Sequence, residues 1–172
     1  MLRIVCTGPE STGKTTLSQQ LARHYECPWV AEYARSYIEG LDRSYTEADL
    51  LAIAEGQIEL ENLLVEPELP LIVCDTDLLT IRIWSEYKYG RCDEWILEQF
   101  VLRPADLYLL CAPDIPWTPD PQRENPEDRQ ELYGLYKFQL VSNNRRLVEV
   151  FGDETLRFHE ATTAIDQLLD KQ

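Results

Sequence analysis

Gly8-Pro9-Glu10-Ser11-Thr12-Gly13-Lys14-Thr15 is the stretch on which the reading of this chain turns. It has the spacing G-x-x-x-x-G-K-[ST], and it lies between an apolar run, Leu2–Cys6, and a segment of helical periodicity, Lys14–Tyr25. A strand before and a helix after are the setting in which this pattern cradles phosphates. Gly8 and Gly13 let the backbone turn and approach phosphate oxygens with no Cβ in the way. The amides of Glu10, Ser11, Thr12, Gly13, Lys14 and Thr15 then converge on one concavity, backed by the positive end of the following helix. Thr16 closes the same nucleotide-binding set. Lys14 is placed to neutralise the β- and γ-phosphates, and the Thr15 hydroxyl to ligate Mg²⁺. A nucleoside triphosphate with Mg²⁺ is therefore expected, while kinase, GTPase and mechanical ATPase all stay open.

Outward from this stretch, short apolar runs alternate with longer helical segments. The runs are Leu2–Cys6, Pro28–Ala31, Leu71–Cys74, Leu107–Cys111 and, more weakly, Thr155–Phe158. Three of them are apolar without alternation, as strands buried on both faces of a parallel sheet are. Helices are expected over Lys14–Tyr25, Thr46–Leu64, Asp77–Tyr87, Asp93–Val101, Glu131–Phe151 and Ala161–Leu169. The second of these opens on Thr46-Glu47-Ala48-Asp49, a variant of the capping box. The class is α/β: a parallel sheet covered by helices on both faces, in three layers. At 172 residues the chain makes one domain, residues 1–172.

Composition narrows the function classes. Sixteen Lys and Arg against 31 Asp and Glu leave a net charge of −15, which argues against a long nucleic-acid channel. The longest apolar stretch, around Pro70–Cys74, is far below the roughly 20 residues of a membrane helix. Met1 leads straight into a strand-like run rather than the charged and apolar regions of a signal peptide. The five cysteines form no C-x-x-C pair, and Cys6, Cys74 and Cys111 each end an apolar run, where a thiol packs as a small hydrophobe. A reduced, cytoplasmic protein is expected, with neither a zinc site nor a His-centred metal site.

The remaining motifs separate the phosphate chemistries. Leu71-Ile72-Val73-Cys74-Asp75 is an apolar strand ending in an acid, and Asp75 there can hold Mg²⁺ or cap the next helix; Asp77 is a second candidate cap. A GTPase would carry D-x-x-G after that strand and N-K-x-D later, whereas the chain reads Asp75-Thr76-Asp77-Leu78 and has no N-K-x-D. A mechanical ATPase normally adds a helical lid domain, for which this length leaves no room. A small phosphotransferase remains. Glu32-Tyr33-Ala34-Arg35 follows the second strand at the carboxyl edge of the sheet, where open α/β sheets bind ligands. Residues three apart share a helical face, so Glu32 can orient an acceptor hydroxyl and take its proton while Arg35 stabilises the transferring group. Five prolines between Pro113 and Pro126 mark an irregular loop bearing Asp114, Trp117, Asp120 and Arg123, followed by Arg129. A long loop in a compact domain is usually functional, and this one (113–130) reads as a lid that brings arginines to ATP.

Together, Gly8 to Leu17, Glu32-Tyr33-Ala34-Arg35, Asp75-Thr76-Asp77 and Asp114-Ile115-Pro116-Trp117 resemble the ribosylnicotinamide kinase domain of bifunctional NAD-biosynthesis regulators. The resemblance implies a P-loop fold similar to nucleoside monophosphate kinases, with sheet order 2-3-1-4-5. It implies transfer of the ATP γ-phosphate to the 5′-hydroxyl of nicotinamide riboside. Because the chain begins at the phosphate-loop strand, the adenylyltransferase of the bifunctional relatives is expected to be absent. Carried over by this resemblance, Lys14 and Thr15 hold ATP·Mg, and Glu32 is the base, with Asp75 as rival. Arg35, Arg123 and Arg129 surround the phosphoryl, Glu32, Asp75 and Asp77 contact substrate, and Trp117 lies near the nicotinamide ring. The partner implied is a small nucleoside. A polynucleotide 5′-hydroxyl kinase, which shares an acid-x-x-Arg element, and an ATP-sensing regulator are the alternatives. On any catalytic reading, Lys14→Ala abolishes phosphoryl transfer, because the positive charge at the phosphates is lost. The melting temperature stays unchanged, since the substitution removes charge and not core packing; undiminished turnover in that variant would count against catalysis.

Overall fold

A computed structural model describes residues 1–65 and 68–171. Five parallel strands, β1 (Leu2–Thr7), β2 (Trp29–Val30), β3 (Leu71–Asp75), β4 (Leu107–Cys111) and β5 (Leu147–Val150), form one sheet in the order β2-β3-β1-β4-β5. This is the expected order of a P-loop kinase sheet. All five residues of β3 and of β4 are buried, as unalternating apolar runs require. Register positions the functional loops: Cys6 pairs with Asp75 and Thr7 with Leu110, so the turns after β1, β3 and β4 leave the sheet side by side at one edge.

Alternation along the strands feeds two cores. Ile4, Cys6, Leu71, Val73, Leu107 and Leu109 face α1 (Lys14–His24) and α7 (Glu154–Leu169). Val5, Ile72, Cys74, Tyr108 and Leu110 face the opposite layer. That layer consists of α2 (Tyr33–Glu39), α3 (Glu47–Leu64), α4 (Leu78–Tyr89), α5 (Glu94–Leu102) and α6 (Arg129–Ser142). The result is the three-layer arrangement expected. The capping box at Thr46 and Asp49 starts α3. No helix among the described residues is long and apolar enough to cross a membrane.

Two expected elements are corrected near the carboxyl end. Glu131–Phe151 is not one helix: α6 stops at Ser142, Asn144 takes a positive φ of 52°, and the chain then extends as β5 beside β4. β5 is an edge strand, half-exposed on three of its four residues, so it lacks the continuous apolar signature of the inner strands. Thr155–Phe158 is correspondingly not a strand but the start of α7, capped by the Asp153 carboxylate accepting the Leu156 amide. The lid gives way to helix at Arg129, where α6 begins.

A buried ionic strut ties the sheet to the layer of α3 and α4. Arg3 donates to both oxygens of Glu61 at 2.8 and 2.9 Å and lies 3.5 Å from Asp77. Asp77 also accepts from the Tyr108 hydroxyl at 2.9 Å and from the Leu79 amide at 3.0 Å, as the N-cap of α4. Every oxygen is hydrogen-bonded, which makes such burial tolerable.

Helix α2 packs on α3 with no room to spare: a Cβ on Gly56 would come within 2.1 Å of the Tyr33 ring. Gly56→Ala, though it favours helix by roughly 0.5–1 kcal/mol, should therefore destabilise the fold by overpacking, with a net cost of about 1 kcal/mol. The urea midpoint should drop; an unchanged or higher midpoint would show that Tyr33 swings aside freely.

Candidate active site

The phosphate loop closes over the edge of the sheet. Gly8 has φ +130°, and a Cβ there would stand 2.7 Å from the Cys111 carbonyl oxygen of β4, so only glycine lets the turn seat this closely. Gly13, at φ +77°, starts α1 in place of a side-chain cap and leaves the first amides of the helix free. The Thr12 hydroxyl and the Lys14 ammonium both donate to the Pro9 carbonyl, at 2.8 and 2.7 Å, so Lys14 folds back across the loop. From outside the loop, Arg157 holds the Thr12 carbonyl at 2.6 Å, Gly152 at 2.7 Å and Ala112 at 2.9 Å, and it pairs with Asp114. Arg157 was not legible in the sequence, because its partners are main-chain carbonyls from three separate turns.

A cavity of about 140 Å³ opens above this loop. Its floor is Gly8 and Glu10 to Thr16, and its walls include Glu32, Arg35, Thr80, Trp84, Arg123 and Tyr136. Of the candidate site residues, the loop, Glu32, Arg35 and Arg123 are thus brought together. Glu32 occupies the N-cap position of α2 but makes no capping bond. The Gln57 side chain of α3 does that work instead, accepting the Tyr33 amide at 2.8 Å and donating to the Ala31 carbonyl at 3.1 Å. The Glu32 carboxylate is left free to face the cavity. Gln57 acts from 25 residues away, a span that helix-start patterns do not register.

Burial pushes the Glu32 carboxyl up from its ordinary value; the Lys14 charge opposes this and the Asp75 charge adds to it. Asp75, at the end of β3, is 2% exposed, and its Oδ1 is buried without a hydrogen-bond partner. Burial raises its carboxyl too, against the Thr15 hydroxyl and the charges of Lys14 and Arg35. An orphaned acid oxygen beside the Thr15 hydroxyl fits a Mg²⁺ site that uses one carboxylate and leaves its other positions to phosphates and water. Asp75 does not line the cavity, whereas Glu32 does.

Three further candidate residues, like Asp75, lie outside the cavity lining. Asp77 does not reach the cavity, because its oxygens are engaged by Tyr108, Leu79 and Arg3. Trp117 does not line it either; its indole lies under the Arg123 and Arg129 guanidiniums, 5.9 and 5.7 Å from the ring centre. Arg129 donates to the carbonyls of Ser11 and Ile115, at 3.2 and 3.0 Å, and so braces the lid and loop and is not among the residues lining the cavity. The aromatic residues of the wall are Tyr136 of α6 and Trp84 of α4, the latter stacked on Tyr45 at 6.2 Å. A second cavity of about 170 Å³, lined by Tyr45, Trp84, Tyr87, Lys88 and Glu124, adjoins the first through Glu10, Trp84 and Gln122.

The raised Glu32 carboxyl has a consequence for stability. The folded protein keeps that proton to higher pH than the unfolded chain, so charging Glu32 costs stability as pH rises through the interval above the ordinary glutamate value. Glu32→Gln removes the charging group. Its melting-temperature gain over the native sequence should be near nil at pH 4 and grow as pH rises toward neutrality; a gain that shrinks with rising pH would contradict the burial of this carboxylate.

Comparison with known proteins places the fold and the family. The chain is 25% identical over 176 residues to the trifunctional NAD biosynthesis/regulator protein NadR of Escherichia coli (strain K12). The alignment covers 98% of this chain and 43% of that protein, so the chain spans under half the length of this relative. A crystal structure of NadR protein in complex with NR superposes with a TM-score of 0.77 at 26% identity, over 96% of this chain and 51% of that one. NadR protein in complex with NAD and AMP-PNP gives the same score at 24% identity, covering 96% of this chain and 49% of the other. Thymidylate kinase from Ehrlichia chaffeensis, at 14% identity and TM-score 0.69, covers 95% of this chain and 98% of its own and shares the fold. The family described as AAA domain matches residues 3–157, and the chain, an α/β P-loop protein with kinases among its fold neighbours, belongs to that family.

Proposed function

We propose that this domain transfers the γ-phosphoryl group of ATP to the 5′-hydroxyl of nicotinamide riboside, giving nicotinamide mononucleotide. The observation that carries the reading is one cavity in which an uncapped, desolvated Glu32 shares the space above the phosphate loop with Lys14, Arg35 and Trp84. The likeness to NadR, solved with NR, supports the choice of acceptor.

The loop amides and Lys14 hold the triphosphate tail, and Asp75 with Thr15 would hold Mg²⁺, which when bound neutralises charge on the phosphate oxygens. Glu32 accepts a hydrogen bond from the acceptor hydroxyl and takes its proton as the oxygen bonds to the γ-phosphorus. The bond from the γ-phosphorus to the β–γ bridging oxygen breaks, and ADP leaves. A carboxyl raised by its surroundings is better matched to this proton transfer at neutral pH than an ordinary one. Arg35 and Arg123 face the cavity where charge spreads over the transferring oxygens. Trp84 offers a flat face to a cationic pyridinium ring. The acidic chain, at −15, suits such an acceptor better than a polynucleotide.

The test supplies γ-labelled ATP with nicotinamide riboside, ordinary nucleosides and a 5′-hydroxyl oligonucleotide in separate reactions. Label should appear on nicotinamide riboside; label on the oligonucleotide alone, or ATP binding with no labelled product, would overturn the reading. Glu32→Gln should lower kcat by about 10²–10⁴-fold while leaving KM for ATP within a few-fold.

A further inference from the structure

Glu10 and Ser11 fill two unspecified positions of the G-x-x-x-x-G-K-[ST] pattern, and their side chains share one direction. Both point at the lid. The Glu10 Oε2 accepts the main-chain amides of Glu124 and Asn125, each at 3.0 Å. The Ser11 Oγ accepts the Thr118 amide at 2.8 Å and the Arg123 guanidinium at 3.4 Å. These bonds cross 107 to 115 residues of sequence, so local chain geometry does not impose them. Ser11 is 9% exposed and sits at φ +53°, a backbone conformation that costs a non-glycine residue stability and needs a reason to persist.

Resting on the phosphotransfer reading above, we propose that Glu10 and Ser11 are positioning residues through which the phosphate loop clamps the lid and sets Arg123 over the cleft. Arg123 is bracketed by the clamp: Thr118 is fixed five residues before it, Glu124 and Asn125 directly after it. The lid segment between β4 and α6 has no helix or strand of its own, so its shape depends on such ties. Further bonds fasten it to the other walls, among them Asp120 to Arg35 at 3.1 Å and Glu124 to Lys88 at 3.0 Å. The loop therefore lines the cavity and at the same time holds the lid through two of its side chains. The clamp is made by side chains and so holds the lid without using the loop amides.

The clamp is tested in the full chain by a double-mutant cycle of Glu10→Ala and Arg123→Ala, with Glu10→Gln as the conservative variant. Misplacing Arg123 by about an ångström should lower kcat by roughly tenfold to a hundredfold. KM for ATP should change less than about threefold, because the loop amides are intact. The double variant should be no slower than Arg123→Ala alone, and Glu10→Gln should recover much of the loss, since both short bonds end on a single oxygen. Independently of turnover, ¹⁹F NMR of protein carrying 5-fluorotryptophan reads the lid at Trp117. Its resonance should move in Glu10→Ala and Ser11→Ala while those of Trp29 and Trp95 stay in place. Multiplicative losses in the cycle, or an unmoved Trp117 resonance in a folded variant, would overturn the clamp. If the native chain transfers no phosphate at all, the phosphotransfer reading fails, and the Trp117 resonance alone decides whether the clamp stands.

Discussion

A turn without a Cβ, pressed against the end of a neighbouring strand, is the constraint on which the rest of this molecule depends. Gly8 passes so close to the Cys111 carbonyl that a methyl group would meet it at 2.7 Å. That approach brings the following loop down onto the carboxyl edge of the sheet, where the turns after β1, β3 and β4 emerge together. From the far side Arg157 fastens the Thr12 carbonyl and so fixes the loop against the turns after β4 and β5. Positive helix-end potential, converging N–H groups and the Lys14 ammonium then act on one small volume.

Burial around that volume works against the isolated protein and for its chemistry. Glu32 and Asp75 both carry carboxyls raised mainly by desolvation, and Asp75 keeps an oxygen with no partner. Such groups are strained until a cation or a hydroxyl arrives, which is the usual signature of a site that gains more from its ligand than from its own folding. The two acids differ in access. Glu32 opens on the cavity, the place our proposal needs for an acceptor proton; Asp75, bonded to Thr15, is the residue the proposal gives to the metal. Elsewhere the fold treats acids differently: Asp77 is fully hydrogen-bonded and braces α4 against the sheet. Three carboxylates near one sheet edge thus have three separate physical fates.

Much of this was written in local sequence. The phosphate loop, the unalternating runs of β3 and β4, and the Thr46–Asp49 box all follow from rules that act within a few residues. Glu32 and Arg35 were placed at the cleft by their position after a strand. What escaped depends on distant partners. Asp75 and Asp77 are equivalent as letters at the end of an apolar strand and both are buried, but only Asp77 has its oxygens engaged from other strands, by Arg3 and Tyr108. Trp117 is an aromatic residue in a loop until two guanidiniums claim its face. Gln57 and Arg157 bond to main-chain groups, so no pairing of residue types announces them. β5 hid because an edge strand needs little apolar surface, and the helical periodicity before it ran on across Asn143 and Asn144.

The deciding geometry is where the alcohol sits relative to Glu32. A crystal structure with AMP-PNP, Mg²⁺ and nicotinamide riboside measures this directly. The γ-phosphate is expected beside the Lys14 ammonium, and the ribose 5′-oxygen about 2.6–3.2 Å from a Glu32 oxygen, facing the γ-phosphorus. A triphosphate seated away from the loop amides, or a 5′-oxygen turned from Glu32 toward another group, would contradict it.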